Sequence, residues 1–323
     1  AFSSCYSLVE VYNYSPSITV NEGETSSSNN GYLGQYALYV YNAKDGTEPE
    51  PTKLSVEKNV QYYTDGTDII AIGTFGNRNA INEITFKDDT TKINTYAFYQ
   101  CYAVTSVTLP SSVINIGSFA FTFCCALAEV YNYSSFLNIT DNYSNGYVGY
   151  YAKVVHNLEV GAEKPATKIL KEDGMQYYDN GNGKYIALSP IDRSSIKEVN
   201  IKAGTTEINQ RAFYECYYAL TSVTLPSSVT SIGSSAFYAC NNLTMDLTKV
   251  DWGSLTLGRL SISPSTSAAL IVIIVAENAP IDTVKTQLTT AVEYASSDTI
   301  QIKQGSTTYV WKGSSTGWVK QTA

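Results

Sequence analysis

His156 is the only histidine in the chain. A serine or cysteine nucleophile with an imidazole base would have to use it. The position 115 residues earlier, equivalent by the internal repeat described below, is Tyr41. A site built on imidazole would therefore exist in one copy alone, and His156 reads as structural. The six cysteines are Cys5, Cys101, Cys124, Cys125, Cys216 and Cys240. Five of them close the same short motif, A-F-x-x-C, and no C-x-x-C pair offers zinc-ligand spacing. Stacking would bring Cys101 near Cys124 and Cys216 near Cys240, within reach of a disulfide. Buried free thiols packing as small hydrophobes are the expected state, with disulfides the alternative. Cys125 follows the motif instead of closing it, and is expected to be an exposed, reactive thiol.

The carboxylates are arranged periodically. Glu10, Glu83, Glu129 and Glu198 recur at one place in the repeat, ahead of a strand residue. Two differentiated catalytic acids would occupy different environments. A periodic row fits a solvent-facing ladder instead. Asp-Gly turns occur at Asp45-Gly46, Asp65-Gly66 and Asp179-Asn180-Gly181, without the ligand spacing of a calcium loop. Asn-x-Ser/Thr sequons start at Asn132, Asn138, Asn142 and Asn242, and they matter only in a eukaryotic secretory pathway. No catalytic residue, metal site or cofactor is expected.

These residues are positioned by a repeat. Ala97-Phe98 and Ala120-Phe121 are 23 residues apart, each followed by x-x-Cys. A fixed period of this size is the signature of a solenoid. A longer unit surrounds it: GYLGQYA at 31–37 matches GYVGYYA at 146–152, and INEITFKDDTTKINTYAFYQC from Ile81 matches IKEVNIKAGTTEINQRAFYEC from Ile196, both at an offset of 115. VYNYS at 11–15 matches 130–134 at an offset of 119. A block of about 115 to 119 residues thus occurs twice.

One short coil reads as follows. Leu220, Val223 and Leu225 point into a core, the last two with the period of a half-buried strand. Pro226 ends ladder pairing. Ile232 returns inward, Gly233 permits a tight bend, and Ala236, Phe237 and Cys240 close the coil. A single coil cannot bury its own face, whereas stacked coils turn each apolar position into a ladder.

The pattern A-F-x-x-C, L-x-S-V-x-L-P, S-V and I-G, at 23 to 24 residues over roughly Ala1 to Leu243, resembles the BspA-like leucine-rich repeat family. The resemblance implies a secreted or surface protein of a mucosal bacterium or protozoan, acting in adhesion or host interaction. The expected fold class is a β-rich solenoid: a leucine-rich-repeat array of ~23-residue coils with enlarged coils and hairpins inserted, and a small C-terminal α+β unit. The first domain would span 1–243, the second 244–323. The chain opens on A-F-S-S-C, so its first coil is expected to be cut, with the signal and anchor outside this fragment.

Tyr- and Asn-rich excursions interrupt the array at about 15–80 and 134–195. Each is expected to be one enlarged coil plus a protruding hairpin, the first turning at Asp65-Gly66. Beyond Thr244 the expected elements are a strand at 270–276, a helix at 280–295 and strands at 299–303 and 308–311, capping the solenoid.

Composition narrows the function. The net charge is −8, only 15% of residues are charged, and Tyr is used 27 times. A chain without basic clusters gains no phosphate neutralisation, which excludes nucleic acid. No run reaches the ~20 apolar residues of a membrane helix. The expected binding surface is the outward sheet face: Glu10 and Tyr12, Glu83 and Thr85, Ser106 and Thr108, Glu129 and Tyr131, Glu198 and Asn200, Ser222 and Thr224. Tyr gives large contact area at low entropy cost. The expected function is non-enzymatic binding of a protein or glycan on a host or neighbouring cell, from an extracellular, secreted or cell-surface location. The alternative is a structural spacer or self-assembling stalk that presents another module.

Overall fold

A computed structural model describes residues 5, 8–15, 17–23, 33–35, 37–42 and 53–321. The alternation read from the coils becomes two walls of short parallel strands. The stacked blocks are not the sequence copies: the first block of the structure runs on to Val154–Asn157, past the start of the second copy at 130, and in it Glu83–Thr85, Ser106–Leu109, Glu129–Asn132 and Val154–Asn157 form a four-stranded sheet. Its register aligns Glu83, Ser106 and Glu129, so the motif repeats in phase. Lys92–Ile93 and Asn115–Ile116 belong to the opposite wall. The second block repeats the plan with Glu198–Asn200 and Ser222–Thr224 on one wall and Thr205–Ile208 and Ser231–Ile232 on the other.

Between the walls lie the apolar ladders. Ile84, Val107 and Val130 are fully buried neighbours in register. Phe98 stacks on Phe121 at 5.2 Å, and Phe213 on Phe237 at 4.9 Å, all four fully buried. Burying such a side chain stabilises by about 1.5–3 kcal/mol. The glycine that follows each returning isoleucine is required by space, not by its dihedral freedom. A Cβ on Gly117 would lie 2.4 Å from Thr95 N, and one on Gly233 would lie 2.4 Å from Gln210 N. The coils approach closely at this point, so the expectation that Gly233 serves bending is replaced by one of contact.

The excursions are enlarged coils, as read from sequence. Tyr39–Tyr41 pairs in parallel with Glu10–Tyr12, and Val154–Asn157 with Glu129–Asn132. The hairpin Val60–Thr64 to Ile69–Thr74 turns at Asp65-Gly66. It does not protrude. Its second strand joins the wall through Ile70↔Lys92 and Ala71↔Ile93, and Lys184–Pro190 joins Thr205–Ile208 likewise. Buried Tyr62, Ala71 and Ile72 explain this: the hairpin carries its own core-facing side and would expose it by standing away. The Asp45-Gly46 turn and the first four residues lie outside the described part of the chain.

The C-terminal elements appear in the order read, with the helix ending at Ala291, four residues short of the expected 295. Leu270–Val275, Ile281–Ala291, Ile300–Gln304 and Thr307–Trp311 are strand, helix, strand and strand, and Trp318–Lys320 follows. The helix buries Val284, Leu288 and Ala291, one face at helical spacing. Position 243/244 falls inside the strand Asn242–Asp246, which pairs in parallel with Leu270–Val275. The wall therefore runs on into a seven-stranded sheet, and Leu288 shares one core with Phe213.

Candidate functional site

The repeat register delivers the predicted face, but the protein covers part of it. Glu83, Glu198 and Asn200 are exposed, and Thr85, Thr108, Ser222 and Thr224 are half-buried. Ser106, Glu129 and Tyr131 are buried, at 6%, 1% and 0% exposure, against the expectation of an outward surface. For Glu129 and Tyr131 the cover is the segment after Val154–Asn157. Thr167 Oγ1 donates to Glu129 Oε2 at 2.6 Å, and the Lys168 amide donates to Oε1 at 2.7 Å. The Tyr131 hydroxyl donates to Oε2 at 2.6 Å, and Lys164 Nζ lies 4.2 Å over the Tyr131 ring. Burial, followed by the hydrogen bond to Glu129, pushes the Tyr131 phenol well above its usual range. An open cavity of about 370 Å³ lies over Thr85 and Thr108, lined also by Val160 and Gly161.

Glu10 and Tyr12 repeat the pairing near the start of the chain. The Tyr12 hydroxyl donates to Glu10 Oε2 at 3.0 Å and the Tyr63 hydroxyl to Oε1 at 2.8 Å. These carboxylates act as local hydrogen-bond acceptors rather than as a free acidic row. His156 stacks on Tyr131 at 5.1 Å, as Tyr41 stacks on Tyr12 at 5.1 Å. The imidazole and its repeat equivalent thus do the same packing work. Cys125 is 2% exposed, against the expectation of an accessible thiol. Burial raises its pKa, and Arg211 Nη1 sits 3.7 Å from its sulfur. Asp65 accepts the amides of Thr67 and Asp68, an Asx turn that needs no cation. Asn132 is buried and bonded to Asn157 Oδ1, so its sequon is not presented. Among the described residues no three His, Cys, Asp or Glu form a metal-binding group, and no helix is long and apolar enough to cross a membrane.

A second surface was not singled out from the sequence. In each bend the residue before Ala-Phe is left-handed: Tyr96 has φ 58°, Phe119 58°, Arg211 54° and Ser235 56°. Tyr147, in the next enlarged coil, has φ 71°. This conformation costs a non-glycine residue about 1–2 kcal/mol. In the first block these positions carry rings. Tyr96 stacks on Phe119 at 5.2 Å and Phe119 on Tyr147 at 5.7 Å. Tyr143 and Tyr150 continue the row, 4.6 Å apart. Phe119, Tyr143 and Tyr150 are 39%, 62% and 40% exposed. The second block has Arg211 and Ser235 instead, so the row is confined to one block. The signal was present in T-Y-A-F and S-F-A-F, where an aromatic precedes each motif at the repeat period.

The family described as BspA type leucine rich repeat region matches in six copies, over residues 58–146 and 187–250. Among curated proteins nothing matches. Among solved structures, the chain is similar to a leucine rich cell surface protein from Faecalibacterium prausnitzii A2-165, at 15% identity. That match covers 80% of this chain and 96% of that one, with a TM-score of 0.33. It is also similar to a leucine-rich repeat protein from Eubacterium ventriosum ATCC 27560, at 17% identity, 68% and 71% coverage and a TM-score of 0.35. A third is the pneumococcal vaccine antigen PcpA, at 12% identity, 70% and 82% coverage and a TM-score of 0.29. The matched segments are the stacked coils described above, and over those residues the chain is built of BspA-type leucine-rich repeats.

Proposed function

We propose that this protein is a non-enzymatic binding protein, secreted or held at the cell surface, that adheres to a protein or glycan on a host or neighbouring cell. Repeat solenoids generally serve as scaffolds for extended contact surfaces. The observation that carries the reading is the exposed aromatic row Phe119, Tyr143 and Tyr150, continued inward by half-buried Tyr147 and Tyr96. Left-handed backbone holds three of these rings in fixed positions, so little side-chain entropy is lost on contact. Rigid, exposed tyrosines are the side chains that most often dominate recognition.

The open sheet face of the second block supports a second contact surface. Glu198, Asn200, Ser222 and Thr224 stand beside Thr244 and Asp246 in register, and among the described residues no segment is hydrogen-bonded across them like 164–168 in the first block. The test is a screen of the whole chain against a mucosal glycan array and a panel of epithelial surface proteins. The best-captured molecule is then measured against Phe119→Gly/Tyr143→Ser/Tyr150→Ser and, separately, Glu198→Lys/Asp246→Lys. Loss with the first variant locates binding on the row, and loss with the second alone moves it to the sheet. No capture above background supports the spacer reading instead.

A further inference from the structure

Arg193 is 4% exposed, and its guanidinium donates four hydrogen bonds to backbone carbonyls. Nη1 donates to Tyr214 O at 2.7 Å. Nη2 donates to Ala212 O at 2.8 Å, Arg211 O at 3.0 Å and Tyr102 O at 3.3 Å. Carbonyls satisfy the donors but do not neutralise the charge. Among the described residues no carboxylate forms an ion pair with this guanidinium, and Nε has no hydrogen-bond partner. A buried cation without an anion is costly, so the anion is to be sought beside it.

Arg193 lines a cavity of about 240 Å³ together with Cys216, Tyr214 and Ser194, and exposed Tyr217 forms part of its wall. Cys240 occupies the same place one coil later. The Cys216 amide donates to Phe213 O and the Cys240 amide to Phe237 O, and the two phenylalanine rings lie 4.9 Å apart and nearly parallel. Coils stacked at this spacing hold paired Cα atoms within the range a disulfide spans. The Cys240 thiol donates to Phe213 O at 3.2 Å, the same carbonyl that accepts the Cys216 amide at 3.2 Å, so the two cysteines converge on one backbone oxygen.

We propose that Cys216 is a peroxide-reactive thiolate with Arg193 as its counter-ion, and that Cys240 resolves its oxidised form into a disulfide joining two coils. In the first step the Cys216 sulfur attacks hydrogen peroxide. An S–O bond forms, the O–O bond breaks, and the leaving hydroxide takes a proton to become water. The sulfur is oxidised to sulfenic acid and the peroxide is reduced. In the second step the Cys240 sulfur attacks the sulfenic sulfur. The S–S bond forms, the S–O bond breaks, and hydroxide leaves with the Cys240 proton as a second water. The electrostatics agree: the hydrogen bond from Cys240, and then the Arg193 charge, hold the Cys216 thiol below its usual value despite burial, while burial pushes Cys240 up.

The chain contains its own control. Cys101 and Cys124 occupy the same two bends of the first block, and Arg78 is the equivalent of Arg193 at the 115-residue offset. Arg78 is exposed, and its guanidinium donates to Tyr99 O at 3.2 Å instead of lying buried in a cage of carbonyls. Burial pushes the Cys101 thiol up to about 12. The inference predicts that one pair reacts and its repeat does not.

The experiment is mass-spectrometric peptide mapping of the reduced, folded full-length chain after limited hydrogen peroxide, with free thiols alkylated. The expected result is a Cys216–Cys240 linked peptide appearing before any other oxidised cysteine pair. In Cys240→Ser, dimedone should label Cys216 as a trapped sulfenic acid. Arg193→Met should slow oxidation of Cys216 at neutral pH by about ten-fold or more, and Arg193→Lys should restore part of the rate. Should Arg193→Met fail to fold, the wild-type comparison of Cys216 with Cys101 decides alone. Oxidation of the two at equal rates, or labelling in Cys240→Ser at cysteines other than Cys216, would overturn the proposal.

Discussion

Glu129 and Glu198 hold the same place in the repeat and differ in what lies above them. Glu129 accepts three hydrogen bonds, from Tyr131, Thr167 and the Lys168 amide, and is 1% exposed. Glu198 is exposed. Removing a buried acceptor leaves its donors unsatisfied, whereas removing an exposed one changes little. Glu129→Ala should therefore cost about 2–3 kcal/mol and Glu198→Ala less than about 0.5 kcal/mol. Equilibrium urea denaturation of the two variants checks this, and equal costs would contradict the covered face. The periodicity placed both residues correctly on the strand. It could not show that 164–168 folds back, because that segment docks through hydrogen bonds to one carboxylate and carries no apolar pattern.

At the scale of the element, the coil was legible because its constraints are local and repeated. Alternating apolar residues, a proline after the strand and a small–large pair in the bend each have one structural use, and the ladders follow. The hairpin turn at Asp65-Gly66 and the C-terminal helix were legible for similar reasons of turn chemistry and spacing. Gly233 was assigned for the wrong reason, since only the stacked neighbour reveals that its Cα faces Gln210 backbone. Gly233→Ala should accordingly destabilise by about 1–3 kcal/mol, as an overpacked contact does. The thermal midpoint reports it, and an unchanged midpoint would mean that the coils can separate there at no cost. Cys125 was misread because its cover comes from the other block, with Asn209 Nδ2 donating to its carbonyl at 2.6 Å and Arg211 beside its sulfur.

In the whole molecule, no strand pairing joins the two blocks among the described residues. The junction is a small apolar cluster of Ala126, Ala128, Tyr178, Ile186 and Leu188, with side chains reaching across to backbone. Gln176 Nε2 donates to Ala103 O at 2.8 Å while its Oε1 accepts from Thr105. Asn82 Nδ2 donates to Ile191 O at 2.9 Å. Fully buried Gln176 thus couples blocks that the ladder does not. Gln176→Ala should cost about 1–3 kcal/mol and broaden the denaturation profile or separate it into two steps. A single sharp transition at the original midpoint would place the coupling elsewhere.

The largest claim for the molecule is that one face of this repeat array holds a partner through the aromatic row of its first block. Phe119 gives the cleanest probe: glycine suits its left-handed backbone and removes only the ring. The deciding measurement is the dissociation constant of the captured glycan or protein for the wild-type chain and for Phe119→Gly/Tyr143→Ser/Tyr150→Ser, with folding verified by circular dichroism. The account predicts a loss of roughly thirty-fold or more, the size of a recognition hot spot. An unchanged dissociation constant in the folded variant would contradict it.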